Sequence, residues 1–311
     1  MKIRKFDNRT TLQHWIEFFP AWLILKFLGT VPRSAAQGLG NILAHLSYIF
    51  WPRLRKIGMF NLRLAFPQWD DTKRRRVLRG SFRNLGRMLA NFANFPSLTP
   101  ENISELVIYE GFENYVEAKK QGRGILYLTA HFGGWELGSF AHGLYGHPCH
   151  FIVRELDNPL LNRLVRRYRG ASGGTSIDKR FFARGILKAL KDNQAVGILL
   201  DQNSLIEEGI FVDFFGNPAC TNSGLARLAI KTGAPVLLSL VIWDQISGKY
   251  RIHFEPIKLA HSPDANKEIG ANTAHFTEKI EEFVRRYPDQ WLWMHRRWKT
   301  RPPGDPPLYL F

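Results

Sequence analysis

A chain of 311 residues with 45% hydrophobic and 23% charged side chains is globular, which excludes intrinsic disorder and leaves material for one large core or two modest ones. Its formal charge of +16 is concentrated near one end: residues 1–100 hold 17 Lys+Arg against 4 Asp+Glu, whereas residues 101–311 hold 26 against 23. Two cysteines, Cys149 and Cys220, form neither a CxxC pair nor a disulfide framework, so a reducing compartment is expected, with both thiols serving as packing residues.

Residues 10–96 read as helices. "WIEFFPAWLILKFLGTV" (15–31) is apolar but interrupted by Glu17, Pro20 and Lys26, and "AAQGLGNILAHLSYIFWP" (35–52) holds Gln37 and His45. Neither reaches about 20 clean apolar residues, so a spanning helix is not compelled. Tryptophans and phenylalanines beside Arg53, Arg55 and Lys56 instead suggest helices lying in a headgroup layer. In "TKRRRVLRGSFRNLGRMLANFANF" (72–95), Val77, Leu78, Phe82, Leu85, Met88 and Leu89 recur at helical spacing, with arginines filling much of the remainder. The tract "PSLTPEN" (96–102) closes this basic helical region, expected to span 1–100.

From 101 to 311 strands alternate with helices, the pattern of one α/β unit. Strands are predicted at 106–109, 124–130, 149–153, 195–200, 235–243 and 250–257, with helices at 112–121, 135–144, 158–169, 180–192, 222–232 and 266–287. "YRIHFEPI" follows the turn "SGK" and should pair antiparallel with the strand before it. The expected fold is therefore α/β, with a mixed, mostly parallel central sheet flanked by helices.

One stretch carries chemistry. "LYLTAHFGGWELGS" (126–139) ends an apolar strand at His131 and reaches Glu136 five residues later, across Gly133 and Gly134. On a straight helix these side chains would point apart; a turn at the glycine pair would let the carboxylate fold back and orient the imidazole. Strand ends are where α/β sheets place their ligands, and backbone N–H groups at Gly133 and Gly134 would face a developing negative charge. A histidine so held is a general base for a hydroxyl attacking a carbonyl. Other patterns carry less. "GASGG" (170–174) matches GxSxG but follows an arginine-rich helix instead of a buried strand. His142, His147 and His150 lack zinc spacing, and "KRRRVLRGSFR" belongs to no nucleic-acid module.

His, four residues and an acid is the signature of glycerolipid-type acyltransferases, and "HFGGWELG" resembles the form found in the bacterial lipid A acyltransferases. "RKIGMFNLRLAFP" (55–67), "VRELDNPLLNRLVRRYR" (153–169), "ILLDQNSLIEEGIFVDFFGNPACTNSGLARLAIKTGAPVL" (198–237) and "QWLWMHRRWKTRP" (290–302) are similar to further blocks of that family, in the same order. The "FPEGTR" phosphate loop of the glycerol-phosphate acyltransferases is absent, and "DFFGNPACT" stands near its place.

The resemblance implies transfer of a fatty acyl chain from an acyl carrier protein thioester to a hydroxyl of a lipid A precursor, with no metal or bound cofactor. It makes His131 the base and Glu136 its partner, with Arg154, Asp201 and Gln202 as substrate-binding residues. It also implies a place on the cytoplasmic face of an inner membrane, peripheral or held by a single N-terminal anchor. The rival readings are an acyltransferase using acyl-CoA or acting on another glycolipid or an aminoacyl lipid, and a non-catalytic lipid-binding protein on the same fold. A retained His–Glu pair argues against the last.

Overall fold

A computed structural model describes residues 10–153, 155–178 and 182–311. Four helices come first: α1 (Thr11–Thr30), α2 (Arg33–Phe50), α3 (Pro52–Ala65) and α4 (Asp71–Ala93). Asp70 caps α4, its carboxylate accepting the Lys73 N–H at 2.7 Å. Arg74 is buried and donates to the carbonyls of Phe66 and Pro67, closing the α3–α4 corner.

Seven strands then form one mixed sheet: β1 (Val107–Glu110), β2 (Ile125–Thr129), β3 (Cys149–Val153), β4 (Thr175–Asp178), β5 (Ala195–Leu199), β8 (Val236–Asp244) and β9 (Lys249–Ile257). Their order is β1-β9-β8-β2-β5-β3-β4. Strands β8, β2, β5, β3 and β4 are parallel; β9 pairs antiparallel with β8 and parallel with β1. The predicted fold class and the antiparallel "SGK" turn are both found, and each predicted strand lies within a residue of its observed limits.

Three strands were not anticipated. One is the edge strand β4. The others, β6 (Gly209–Phe214) and β7 (Asn217–Asn222), form a separate hairpin whose turn residues Phe215 and Gly216 have φ of 56° and 70°. Two successive positive φ values match the twist of a tight hairpin.

Central strands buried on both faces read as continuous apolar runs because helices cover each side. Alternation divides their side chains. Leu126, Leu128, Val196, Ile198, Leu238 and Leu240 join Leu62, Phe66, Leu78 and Phe82 of α3, its C-cap and α4, together with α9 (Gly224–Thr232) and α10 (Ala265–Arg286). Ile125, Tyr127, Ala195, Leu237 and Val241 face the opposite layer, which includes α5 (Phe112–Lys120) and α6 (Trp135–Leu144). Helix α7 (Pro159–Gly170) precedes β4, and α8 (Phe182–Lys191) follows it. The "GASGG" match lies at the end of α7 and in the turn leading to an edge strand.

Helices α1 and α2 bury little. Trp15, Ile16, Phe19, Leu23, Phe27, Ile42, Leu46 and Ile49 are exposed, and Phe50 and Trp51 are 73% and 59% exposed. Among the described residues no helix is long and apolar enough to cross a membrane.

Candidate active site

Strand β2 delivers His131 to the carboxyl edge of the sheet, and the chain then turns sharply into α6. Gly133 makes that turn possible: its φ is +56°, and a Cβ there would lie 1.6 Å from the Val241 carbonyl oxygen. Neighbouring β5 runs parallel in the register Thr129–Leu199, which sets Asp201 beside His131.

The buried Asp201 carboxylate grips residue 131 twice. Its Oδ1 lies 2.9 Å from His131 Nδ1, and its Oδ2 accepts the His131 backbone N–H at 3.0 Å. Trp291 Nε1–H also donates to Oδ2, at 2.8 Å. An ionised carboxylate only accepts, so Nδ1 carries the proton and Nε2 is the basic nitrogen. Burial alone would lower the His131 pKa, but the charge of Asp201 and its hydrogen bond outweigh that and hold it above 6.5. Burial likewise pushes the Asp201 carboxyl up, and the facing imidazole with the three donated hydrogen bonds brings it below 3.8. The Gln202 amide nitrogen stands 3.3 Å from His131 Nε2. This is the histidine–carboxylate arrangement of a poised general base.

Three expectations need correction. Glu136 does not meet His131: it sits in the first turn of α6, and its carboxylate takes a two-pronged hydrogen bond from Arg169 of α7, with Nε donating to Oε2 at 2.8 Å. The glycine turn swings the chain into α6 without folding Glu136 back, and Asp201 occupies the orienting place. Nor are the glycine N–H groups open to an anion. Gly133 N–H donates to the Gln290 carbonyl at 2.8 Å and Gly134 N–H to the Val241 carbonyl at 3.0 Å, so both hold the turn against neighbouring chain. Asp201, expected among the substrate-binding residues, is instead buried behind the histidine. Arg154 lies outside the described residues.

An apolar cavity, open to solvent, runs between α6 and the sheet, from Trp135, Glu136 and Arg169 inward to His142. Leu199, Val241 and Ile252 supply aliphatic wall. Gly138 lets α6 lie this close, since a Cβ there would meet Val241 Cγ2 at 2.3 Å. The deep end is polar. Tyr109 and Tyr127 hydroxyls each lie 3.0 Å from a ring nitrogen of His142, whose pKa burial lowers to about 3. Among the described residues no three His, Cys, Asp or Glu side chains converge on a metal site.

The profile of the bacterial lipid A biosynthesis acyltransferases matches residues 3–300. The chain belongs to that family. It is 29% identical over 300 residues to the lipid A biosynthesis palmitoleoyltransferase of Escherichia coli (strain K12), covering 96% of this chain and 95% of that protein. It is 29% identical over 297 residues to the lauroyltransferase of the same strain, with coverage of 95% and 94%, and 23% identical over 292 residues to its myristoyltransferase, with coverage of 93% and 89%. Acyl transfer is thus the chemistry of the family, and this acyltransferase has a carboxylate-held histidine on a strand end beside an apolar cavity.

Several residues that build the site of this acyltransferase were not singled out as such. Arg169 is one of several arginines in α7, and nothing local marks it as the partner of Glu136. The segment 288–298 works as a strap beneath the catalytic turn. The Gln290 side chain accepts from Trp243 N–H at 2.7 Å and donates to the Trp243 carbonyl at 2.8 Å, while its own carbonyl holds Gly133. His295 Nε2 accepts the Asn203 N–H at 3.0 Å, and fully buried Arg297 donates to the carbonyls of Gln202 and Cys220. From α4, Asn84 donates to the Gly133 carbonyl at 2.9 Å. For Gln290, His295 and Arg297 the signal was the segment "QWLWMHRRWKTRP", too rich in aromatic and basic side chains for an exposed stretch.

Proposed function

We propose that this acyltransferase moves a fatty acyl chain from an acyl carrier protein thioester to a hydroxyl of a lipid A precursor, with His131 as general base. The observation that carries the reading is the His131–Asp201 pair standing beside an apolar cavity, with Trp135 of the cavity lining packed 5.3 Å, centre to centre, against the His131 ring. Nε2 of His131 takes the proton as the acceptor hydroxyl oxygen attacks the thioester carbonyl. The tetrahedral oxyanion collapses, the C–S bond breaks, and the imidazolium returns its proton to the leaving thiolate. Asp201 holds the tautomer and stabilises the imidazolium, and such base catalysis is worth roughly 10²–10⁴-fold.

The remaining site residues have distinct parts in this reading. The oxyanion falls to the first-turn amides of α6, which has no side-chain cap. Glu136 acts by fixing Arg169 at the cavity mouth, where the guanidinium meets polar substrate, and Gln202 contacts the acceptor beside Nε2. The acyl chain lies in the cavity, since each buried CH₂ favours such a slot by about 0.8 kcal/mol.

The reaction takes place at the cytoplasmic face of the inner membrane, with the exposed apolar faces of α1 and α2 in the lipid. Both substrates carry long chains that leave a membrane only at high cost, and the basic N-terminal third suits an anionic headgroup layer.

The test is reconstitution of the full-length protein with a lipid A precursor and either acyl carrier protein thioester or acyl-CoA. A mass increase of one acyl chain, faster with the carrier protein and reduced more than tenfold by His131→Ala, is expected. No acylation of this acceptor, with transfer to another lipid, would overturn the acceptor assignment. Equal rates from acyl-CoA would overturn the donor.

A further inference from the structure

A second cavity lies away from the catalytic turn, in the groove between α2 and α4. It is lined by Asn41, Ala44, His45, Tyr48, Arg79, Phe82 and Arg83, with an empty volume of about 390 Å³. Its origin is a backbone-to-backbone crossing. A Cβ on Gly40 would lie 2.4 Å from the Gly86 oxygen, and one on Gly86 would lie 2.3 Å from the Gly40 oxygen. Two helices that touch so closely at one point must diverge along their axes. Ala44 and Tyr48 follow Gly40 by one and two turns, and Phe82 and Arg79 precede Gly86 by the same steps, so the cavity is the widening wedge.

The chemistry of this wedge is one-sided. Two guanidiniums, an imidazole, a phenol and a carboxamide face it, and no carboxylate lines it. Arg79 and Arg83 form no ion pair with any described residue; Arg79 rests 5.5 Å from the centre of the Tyr48 ring. Neighbouring Arg55 is spent differently, donating to the Tyr48 and Ile49 carbonyls at the end of α2 at 2.6 and 2.8 Å. The floor is fixed by the edge-to-face contact of Tyr48 with buried Phe82, ring centres 5.3 Å apart.

Beside the cations, the same helix α2 presents Ile42, Leu46 and Ile49 to solvent, followed by Phe50 and Trp51. A group of donors selective for an oxyanion therefore adjoins an exposed apolar strip. One class of ligand satisfies both: a phosphate headgroup whose own acyl chains lie along the strip.

We infer that the α2–α4 wedge binds the phosphate of a membrane lipid, with Arg79 and Arg83 as its principal ligands and His45 and Tyr48 as further donors. This rests on the membrane-facing reading of α1 and α2. The site is separate from the base: Asn84, the residue after Arg83, points from α4 toward the Gly133 carbonyl. Helix α4 thus presents the phosphate site on one face and braces the catalytic turn with another.

Binding of full-length protein to vesicles of phosphatidylcholine and of phosphatidylcholine with phosphatidylglycerol tests this. Wild type should bind both and prefer the anionic ones. Arg79→Gln with Arg83→Gln should keep binding to neutral vesicles but lose more of the anionic preference than the roughly 30-fold that two diffuse cations near an anionic leaflet supply, at about fivefold each. Arg53→Gln with Lys56→Gln removes the same charge from exposed positions outside the wedge and should cost no more than that diffuse figure. Equal losses in the two double variants would reduce the wedge to diffuse surface charge and overturn the site. Failure of wild type to bind either vesicle would instead overturn the membrane reading itself. Stabilisation of the soluble protein by inorganic phosphate, abolished in the Arg79/Arg83 variant while vesicle preference stays unchanged, would reassign the site to a soluble phosphate and overturn the lipid assignment.

Discussion

The first two helices and the sheet obey different rules for apolar side chains. In β2 and β5 nearly every residue is buried, and alternation decides only which layer receives it. In α1 the apolar residues run almost all round the helix, yet only Leu25 and Leu28 are buried. A helix apolar on all sides is normally enclosed by protein or lipid. Here protein covers one stripe, so the remaining faces call for another apolar surface. The charge imbalance follows the same division, with seventeen basic and four acidic residues in the first hundred positions and near balance beyond. One region builds the candidate site, and the other leaves many apolar and basic side chains exposed.

Removing the base should separate the two regions most strongly. His131→Ala and Asp201→Asn should each lower kcat by about 10²–10⁴-fold, the usual weight of a positioned base and of its tautomer-holding carboxylate. Vesicle binding should be unchanged. Loss of binding in either variant would mean that the regions are not independent.

The cavity gives the next largest effect. Neutral His142 has one donor and one acceptor nitrogen, so one tyrosine donates to it and the other accepts, leaving one phenolic O–H without a partner in the trio. An acyl chain long enough to cover that hydroxyl strips its water, at about 1–3 kcal/mol. Removing the unpartnered hydroxyl, by Tyr127→Phe or Tyr109→Phe according to the His142 tautomer, should therefore raise kcat/KM for chains two to four carbons beyond the wild-type optimum by about 5- to 100-fold relative to the optimum. Chain-length competition read by mass spectrometry gives the answer, and an unchanged profile in both folded variants would remove the trio from chain selection.

The smallest effect belongs to the helices. Phe19, Phe27, Phe50 and Trp51 replaced by Ser should reduce partition into neutral vesicles and slow transfer to bilayer acceptor several-fold. Rates on detergent-dispersed acceptor should change by less than twofold, because none of these side chains belongs to the catalytic site. Equal losses in both assays would show that the four aromatics support the fold.

Most of the fold could be read from the sequence because its central strands are long apolar runs separated by helical periodicity. Strand β4, "TSID", carries too little apolar signal, and the β6–β7 hairpin lies in "GIFVDFFGNPACTN", where charged, proline and glycine residues break up the apolar run. His131 was legible from its position at a strand end. Its partner was not, because spacing along the chain favoured Glu136, five residues away, whereas the contact is made by Asp201, seventy residues away. That contact depends on β5 lying beside β2, and chain order does not state it: β3 and β4 come between them in sequence but lie outside them in the sheet. Arg169 was obscure for the same reason, since only the packing of α7 near the start of α6 distinguishes it from the other arginines of its helix.

Which carboxylate orients the base is decided by the pH dependence of kcat/KM in wild type, Asp201→Asn and Glu136→Gln. A base works in its neutral form, so the rate rises with pH through the pKa of His131, which Asp201 and, to a smaller extent, Glu136 hold above 6.5. The wild-type acid limb should therefore have its midpoint above 6.5, with a large downward displacement in Asp201→Asn and a smaller one in Glu136→Gln. A limb that moves mainly in Glu136→Gln and stays in place in Asp201→Asn would contradict the account and return the orienting role to Glu136.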